Sequence, residues 1–148
     1  MKRMIKYLPV LLLVFSLAGC SGQQTAEQEE DTMTDIVITI GERQFMAKLY
    51  DNETARAFAE QLPLTIDMSE LNGNEKYYYM PEELPADAER PGRIKTGDLM
   101  LFGSDCLVLF YDTFSTPYSY TRIGYVEDPD GLAQVLGSGS VKVNFRAV

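Results

Sequence analysis

The 148-residue sequence contains no histidine and no tryptophan, and only two cysteines. Without histidine the chain has no Ser-His-Asp or Cys-His catalytic site and no imidazole ligand for zinc or haem. No motif in the sequence predicts a metal or a cofactor. Basic residues are also few, with 13 Lys and Arg against 22 Asp and Glu. Because an acidic chain is repelled by phosphate backbones, nucleic-acid binding is not expected.

The first nineteen residues have the composition of a secretory signal. Three of them are basic, namely Lys2, Arg3 and Lys6, and a mostly apolar segment follows at 8–17. This segment has the length of a signal-peptide core and is shorter than the roughly 20 residues that span a bilayer. The sequence Leu-Ala-Gly-Cys at 17–20 resembles the bacterial lipoprotein lipobox, in which the cysteine thiol takes the lipid.

The resemblance to a lipobox predicts a signal peptide over 1–19, lipid attachment at Cys20 and an extracytoplasmic, membrane-held protein. An ordinary signal peptide without a lipid is the alternative. Residues 20–34 are polar and acidic without periodicity, which predicts a solvated tether. Cleavage removes three basic residues and leaves 10 against 22 acidic ones. The second cysteine, Cys106, begins an apolar run and is expected as a small buried side chain.

The remaining residues, 35–148, are predicted to form one mainly β domain. Alternating apolar residues or continuous apolar runs predict strands at 36–40, 44–49, 64–68, 76–80, 98–102, 106–111, 118–126 and 141–146. Residues 82–96 contain two prolines and few apolar side chains, which predicts a long surface loop. Eight strands are enough to close a barrel whose interior is filled by side chains.

Two short helices are predicted to cover the ends of this barrel. Asp51 or Asn52 is expected to cap the first, whose apolar face consists of Ala55, Phe58, Ala59 and Leu62. The second is expected to begin at Asp128, with an apolar face of Leu132, Val135 and Leu136.

Several segments, taken in order, resemble the bacterial cyclophilin-like proteins. The resemblance is carried by Ile-Val-Ile-Thr-Ile at 36–40, the helix at 54–62, Tyr-Tyr-Tyr at 77–79, Gly-Asp-Leu-Met-Leu at 97–101, the apolar run at 107–111 and Tyr-Thr-Arg-Ile-Gly at 120–124. It covers nearly all of 35–148. It implies an eight-stranded barrel closed by two helices, in agreement with the periodicity.

The resemblance does not extend to the residues of prolyl isomerases. Cyclophilins with that activity have an arginine followed by a Phe-Met-x-Gln-Gly-Gly segment, and tryptophan and histidine line their proline pocket. The comparable region here, 75–81, reads Glu-Lys-Tyr-Tyr-Tyr-Met-Pro. We assign no catalytic residue. Weak isomerase activity remains an alternative, because the reaction needs little beyond an apolar pocket and a hydrogen-bond donor.

Tyrosines and one arginine are the candidate binding residues. In extended strands Tyr77 and Tyr79 share a face, and so do Tyr118, Tyr120 and Arg122. Rings can stack on a ligand while the guanidinium donates hydrogen bonds. The predicted ligand-binding residues are Tyr77, Tyr79, Phe114, Tyr118, Tyr120 and Arg122. The alternative is that the rings fill the core and the arginine pairs with an acid.

The predicted function is a membrane-anchored binding module for a small molecule or peptide. A weak prolyl isomerase and a domain that binds other envelope proteins are the alternatives.

Overall fold

The computed structural model describes residues 32–148, so the predicted signal peptide, Cys20 and most of the tether lie outside the described residues. The elements are β1 (Thr34–Ile40), β2 (Arg43–Leu49), α1 (Glu53–Ala59), β3 (Leu64–Leu71), β4 (Glu75–Tyr79), β5 (Arg93–Ile94), β6 (Asp98–Phe102), β7 (Cys106–Phe110), β8 (Phe114–Ser115), β9 (Thr121–Val126), α2 (Leu132–Leu136) and β10 (Val141–Ala147). Within 32–148, α1 and α2 have seven and five residues, and neither helix could span a bilayer.

Eight of the strands form a closed barrel in the order β1-β10-β3-β4-β7-β6-β9-β2. Every neighbouring pair is antiparallel. The short strands β5 and β8 pair with each other outside this ring. The prediction of a mainly β, closed eight-stranded barrel with two short helices is confirmed.

The barrel interior holds the main apolar core, to which both helices contribute. Phe58 of α1 is fully buried, and its ring meets that of Phe145 edge-on at 5.5 Å between centroids. Leu132 and Leu136 of α2 join the same cluster. The apolar faces predicted for the two helices therefore pack into the barrel core.

A second apolar cluster lies on the outer face of the barrel. Because strand side chains alternate between faces, β6 and β7, which are apolar at nearly every position, present buried residues on both sides. The outer cluster contains Ile94, Met100, Cys106, Val108, Phe110 and Tyr120. Ile94 lies in β5, so the predicted surface loop at 82–96 contains a short strand and a fully buried side chain.

The two helices differ in the residue that caps their N-terminus. Asn52 caps α1 as predicted, since its side chain accepts a hydrogen bond of 2.8 Å from the amide of Ala55. Asp128 does not cap α2, contrary to the prediction. Its carboxylate instead accepts from the amide of Asp130 at 3.1 Å, a local turn that aspartate favours, and Gly131 is the N-cap.

Candidate functional site

Three neighbouring strands build the floor of a groove on the outer face of the barrel. Glu75, Tyr77 and Tyr79 are alternate residues of β4 and therefore point to the same face. Their register partners on β7 are Phe110, Val108 and Cys106. Phe102 of β6 lies opposite Cys106. The floor thus places one carboxylate and several rings side by side.

The turn between β3 and β4 forms one end of the groove. Asn72 and Gly73 both have positive φ, 57° and 69°, which an Asn-Gly pair adopts readily in a tight hairpin turn. The turn places Leu71 opposite Glu75 in the strand register. The other side is formed by Tyr118 and Tyr120, which precede β9.

We name this concavity, of about 390 Å³, the aromatic groove. Its lining residues are Leu71, Asn72, Glu75, Tyr77, Tyr79, Phe102, Cys106, Val108, Tyr118 and Tyr120. Tyr77 and Tyr79 meet at 5.8 Å with an interplanar angle of 76°. Phe102 and Tyr118 meet at 6.3 Å and 82°. Within each pair, the two rings therefore lie at nearly right angles to each other.

Three rings of the aromatic groove are strongly exposed to solvent. The exposed fractions are 64% for Tyr79, 61% for Tyr118 and 47% for Phe102. Aromatic side chains gain much of their free energy from burial, so neighbouring exposed rings in a concavity are typical of a binding surface.

The electrostatics of the aromatic groove are set by Glu75. It is the only Asp, Glu, Lys or Arg among the lining residues. It is half-buried, and its burial raises the pKa of the carboxyl, with a further contribution from the negative charge of Glu70. No ion pair joins Glu75 to a basic residue anywhere in 32–148. The groove therefore has a carboxylate with no cationic partner.

Cys106 does not add nucleophilic chemistry to the groove. Burial raises the pKa of its thiol to about 11, and the charges of Asp105 and Glu75 act in the same direction. The residue is 6% exposed, which confirms the prediction of a small buried side chain. The reactive thiolate is therefore scarce at neutral pH.

Arg122 lies outside the aromatic groove, beside a polar cleft of about 550 Å³ between α1 and the segment before β5. Its Nε donates to Oε1 of Glu89 at 3.1 Å. Glu89 also forms a β-bridge with Tyr120. The ion pair with Glu89 holds Arg122 outside the aromatic groove, where it also has a hydrogen bond with Tyr50.

Of the six residues predicted for the site, four line the aromatic groove: Tyr77, Tyr79, Tyr118 and Tyr120. Phe114 lies nearby on β8, with its ring 5.7 Å from that of Phe110 in the outer cluster. Arg122 belongs to the polar cleft instead.

The chain was also compared with known proteins. It matches the profile of the cyclophilin-like family over residues 38–146. This protein belongs to the cyclophilin-like family. The solution structure of a hypothetical protein from Archaeoglobus fulgidus is similar to this chain, with a TM-score of 0.52 and 17% identity, covering 79% of this chain and 96% of that one. It shows a shared fold only. A search of curated proteins found no match.

In this cyclophilin-like barrel, residues 75–81 supply Glu75, Tyr77 and Tyr79 to the floor of the groove.

The polar cleft of the cyclophilin-like barrel is larger than the aromatic groove, but several of its polar side chains are engaged in hydrogen bonds within the protein. Asn52 caps α1 and also donates to the backbone oxygen of Arg122 at 2.9 Å. Thr54 donates to the backbone oxygen of Pro85. Thr121 accepts from the amide of Asp87 at 2.9 Å. Because these polar side chains already bind the protein, we favour the aromatic groove as the site.

Six lining residues were not predicted from the sequence as site residues: Leu71, Asn72, Glu75, Phe102, Cys106 and Val108. Glu75 precedes Tyr77 by two positions, so the alternation that paired the tyrosines also placed it on their face. Phe102 belongs to a strand whose register with β7 the sequence does not reveal. No group of three or more Cys, Asp or Glu residues within 32–148 is arranged to hold a metal ion.

Proposed function

We propose that this cyclophilin-like domain is a binding module that takes a peptide or small molecule in the aromatic groove. The observation that carries the proposal is the group of exposed rings, Tyr79, Tyr118 and Phe102, around a concavity of about 390 Å³. This volume is within the range of known ligand sites. The groove offers a large apolar contact area and one charged group that can orient a ligand.

Recognition in this groove depends on side chains. Each of the eight barrel strands has a neighbour on both sides, so the ring has no free edge at which a peptide could add as a strand. Ligand affinity must come from ring contacts and from polar groups such as Glu75 and Asn72.

The proposal is tested by nuclear magnetic resonance titration of the isotope-labelled protein. The probes are blocked pentapeptides of sequence Gly-Ala-X-Ala-Gly, with X as Phe, Pro, Gln, Glu or Arg. We expect at least one peptide to shift the amide signals of Tyr77, Tyr79 and Tyr118 together. Tyr79→Ala should weaken that binding, because it removes the most exposed ring of the groove.

The same titration contains the outcomes that oppose the proposal. Shifts confined to the polar cleft around Arg122, or no shifts with any peptide, would overturn it. Accelerated cis/trans exchange of the proline peptide would instead support the isomerase alternative.

We also propose that the domain is held at the extracytoplasmic face of a bacterial membrane by lipid on Cys20. The support is the basic and apolar order of residues 1–19 and the lipobox-like sequence at 17–20. Cys20→Ser should abolish incorporation of radiolabelled palmitate and leave an uncleaved precursor. Cys106→Ser is the control and should incorporate palmitate normally. Normal lipid labelling of the Cys20→Ser variant would refute the anchor.

A further inference from the structure

We infer that the aromatic groove binds an arginine side chain of a peptide, an inference that rests on the proposed function. The guanidinium would lie against the tyrosine rings and pair with the carboxylate of Glu75.

The carboxylate of Glu75 has no cationic partner among the described residues. Each of the five ion pairs in residues 32–148 excludes Glu75, and none of the residues lining the groove is a lysine or arginine. Glu70, the acid whose charge acts on Glu75, already binds Nζ of Lys76 at 3.0 Å. A half-buried carboxylate without a cation is unfavourable, and a ligand cation removes that cost. The groove is therefore complementary to a positive group.

The aromatic rings also favour a cationic ligand. Cations are attracted to the faces of aromatic rings, and the attraction grows when both groups leave water. Tyr77 with Tyr79 and Phe102 with Tyr118 form two nearly perpendicular pairs on the floor and side of the groove. Tyr77 follows Glu75 by two positions on the same face of β4, so a cation paired with Glu75 can also lie against a ring.

The shape favours arginine among the cationic side chains. A guanidinium is planar, stacks on aromatic faces and donates a fork of hydrogen bonds that fits a carboxylate. A lysine ammonium is a compact and strongly hydrated point charge, which gains less from stacking. The floor spans β4, β7 and β6, about 10 Å across at the usual strand spacing, which leaves room for the peptide backbone that carries the side chain.

The experiment measures the charge dependence of binding with matched probes. The blocked peptide Gly-Ala-Arg-Ala-Gly is compared with its citrulline analogue, which has nearly the same shape and no charge. A lysine analogue distinguishes planarity from charge. We expect the arginine peptide to bind about tenfold or more tightly than the citrulline peptide, as is typical of hydrogen bonds to a charged group.

Two variants assign the preference to Glu75. Glu75→Gln keeps the size of the side chain and should remove most of the preference for arginine over citrulline. Glu60→Gln makes the same charge change at an exposed position on the C-cap of α1 and should leave the preference intact. Binding of the arginine peptide should also weaken as acid protonates Glu75, whose near neighbours are Glu70, Tyr111, Tyr120 and Cys106.

The possible results separate this inference from the proposed function. Equal affinity for arginine and citrulline, with shifts in the groove, would overturn the arginine inference and leave the binding module standing. Tighter binding of lysine than arginine would also overturn it. Loss of the preference in both glutamine variants would show a general attraction of cations to an acidic protein and would refute a specific site. Binding of none of the peptides in the groove would refute both proposals.

Discussion

Nζ of Lys76 lies 3.0 Å from Oε1 of Glu70, and the lysine side chain is completely removed from solvent. The ammonium also donates to the backbone oxygens of Gly137 and Gly139, at 2.8 and 2.6 Å. Tyr111 donates its hydroxyl hydrogen to the same carboxylate oxygen. A cation on β4 thus joins β3 to the turn that precedes β10.

Lys76→Met is expected to destabilise the protein by about 3–5 kcal/mol, because it leaves Glu70 without its cation and two carbonyls without a donor. The measurement is the free energy of unfolding from urea titration. Lys48→Met is the control, since Lys48 pairs with Asp35 and Glu127 at the surface and its loss should destabilise the protein much less than Lys76→Met. Equal losses in the two variants would contradict a structural role for the buried pair.

Gly124→Ala is expected to disturb the contact between β2 and β9. An added Cβ would overlap the backbone oxygen of Lys48 and come within 3.1 Å of the Cα of Leu49. Neither backbone atom can move without disturbing the strand pair, so we expect a loss of about 1–3 kcal/mol or more in thermal or urea unfolding. Gly139→Ala is the control, because its Cβ would meet nothing within 4 Å. An unchanged free energy of unfolding in Gly124→Ala would show that β2 and β9 can move apart at little cost.

Glu75→Gln is expected to stabilise the ligand-free protein at neutral pH. Burial raises the folded-state pKa of this carboxyl above its ordinary value of 4.5, so the folded state binds the proton more tightly than the unfolded state. The stability that protonation provides is present at low pH and is lost as pH rises through the folded-state pKa.

The melting temperatures of the original protein and Glu75→Gln should therefore converge at about pH 4 and differ at about pH 7. The gain should be modest, below about 1 kcal/mol, because the carboxyl is partly screened by solvent. A lower melting temperature of the variant at neutral pH would indicate a stabilising partner for Glu75.

Arg122→Ala is expected to change stability by less than about 1 kcal/mol, because the ion pair with Glu89 is solvent-exposed. The side chains are 37% and 65% exposed. Calorimetry measures the change in melting temperature, and the peptide titrations described above measure binding. Binding in the aromatic groove should persist, since Arg122 does not line it. A large fall in melting temperature would instead assign the arginine a structural role.

The barrel could be predicted from the sequence because its signals are local. Alternation in β1, β2 and β10 and the apolar runs of β6 and β7 each lie within a few residues, and the Asn52 cap lies beside the helix it begins. The prediction that Asp128 caps α2 was wrong for a related reason. An aspartate can satisfy either a helix end or its own turn, and the sequence does not distinguish the two.

The site was only partly predictable because its members meet through distant pairings. Alternation predicts that Tyr120 and Arg122 share a face of their strand. It does not show that Glu89, some thirty residues earlier, forms an ion pair with Arg122 and a β-bridge with Tyr120. Lys76 lies between Glu75 and Tyr77 in a strand of charged and tyrosine residues. The two backbone carbonyls that accept its hydrogen bonds are 61 and 63 residues away in sequence. Such contacts depend on strand order, which alternation alone does not determine.

The neighbouring position of β1 and β10 has a consequence for protein engineering. Ile36 lies directly opposite Ala147, so the first and last barrel strands place their outer ends side by side. A short linker from residue 148 to residue 32 would therefore permit circular permutation, with new termini opened at the exposed turn around Gly41, which does not line the groove. The same proximity suits the barrel to insertion as a unit into a surface loop of another protein, where the aromatic groove would remain accessible.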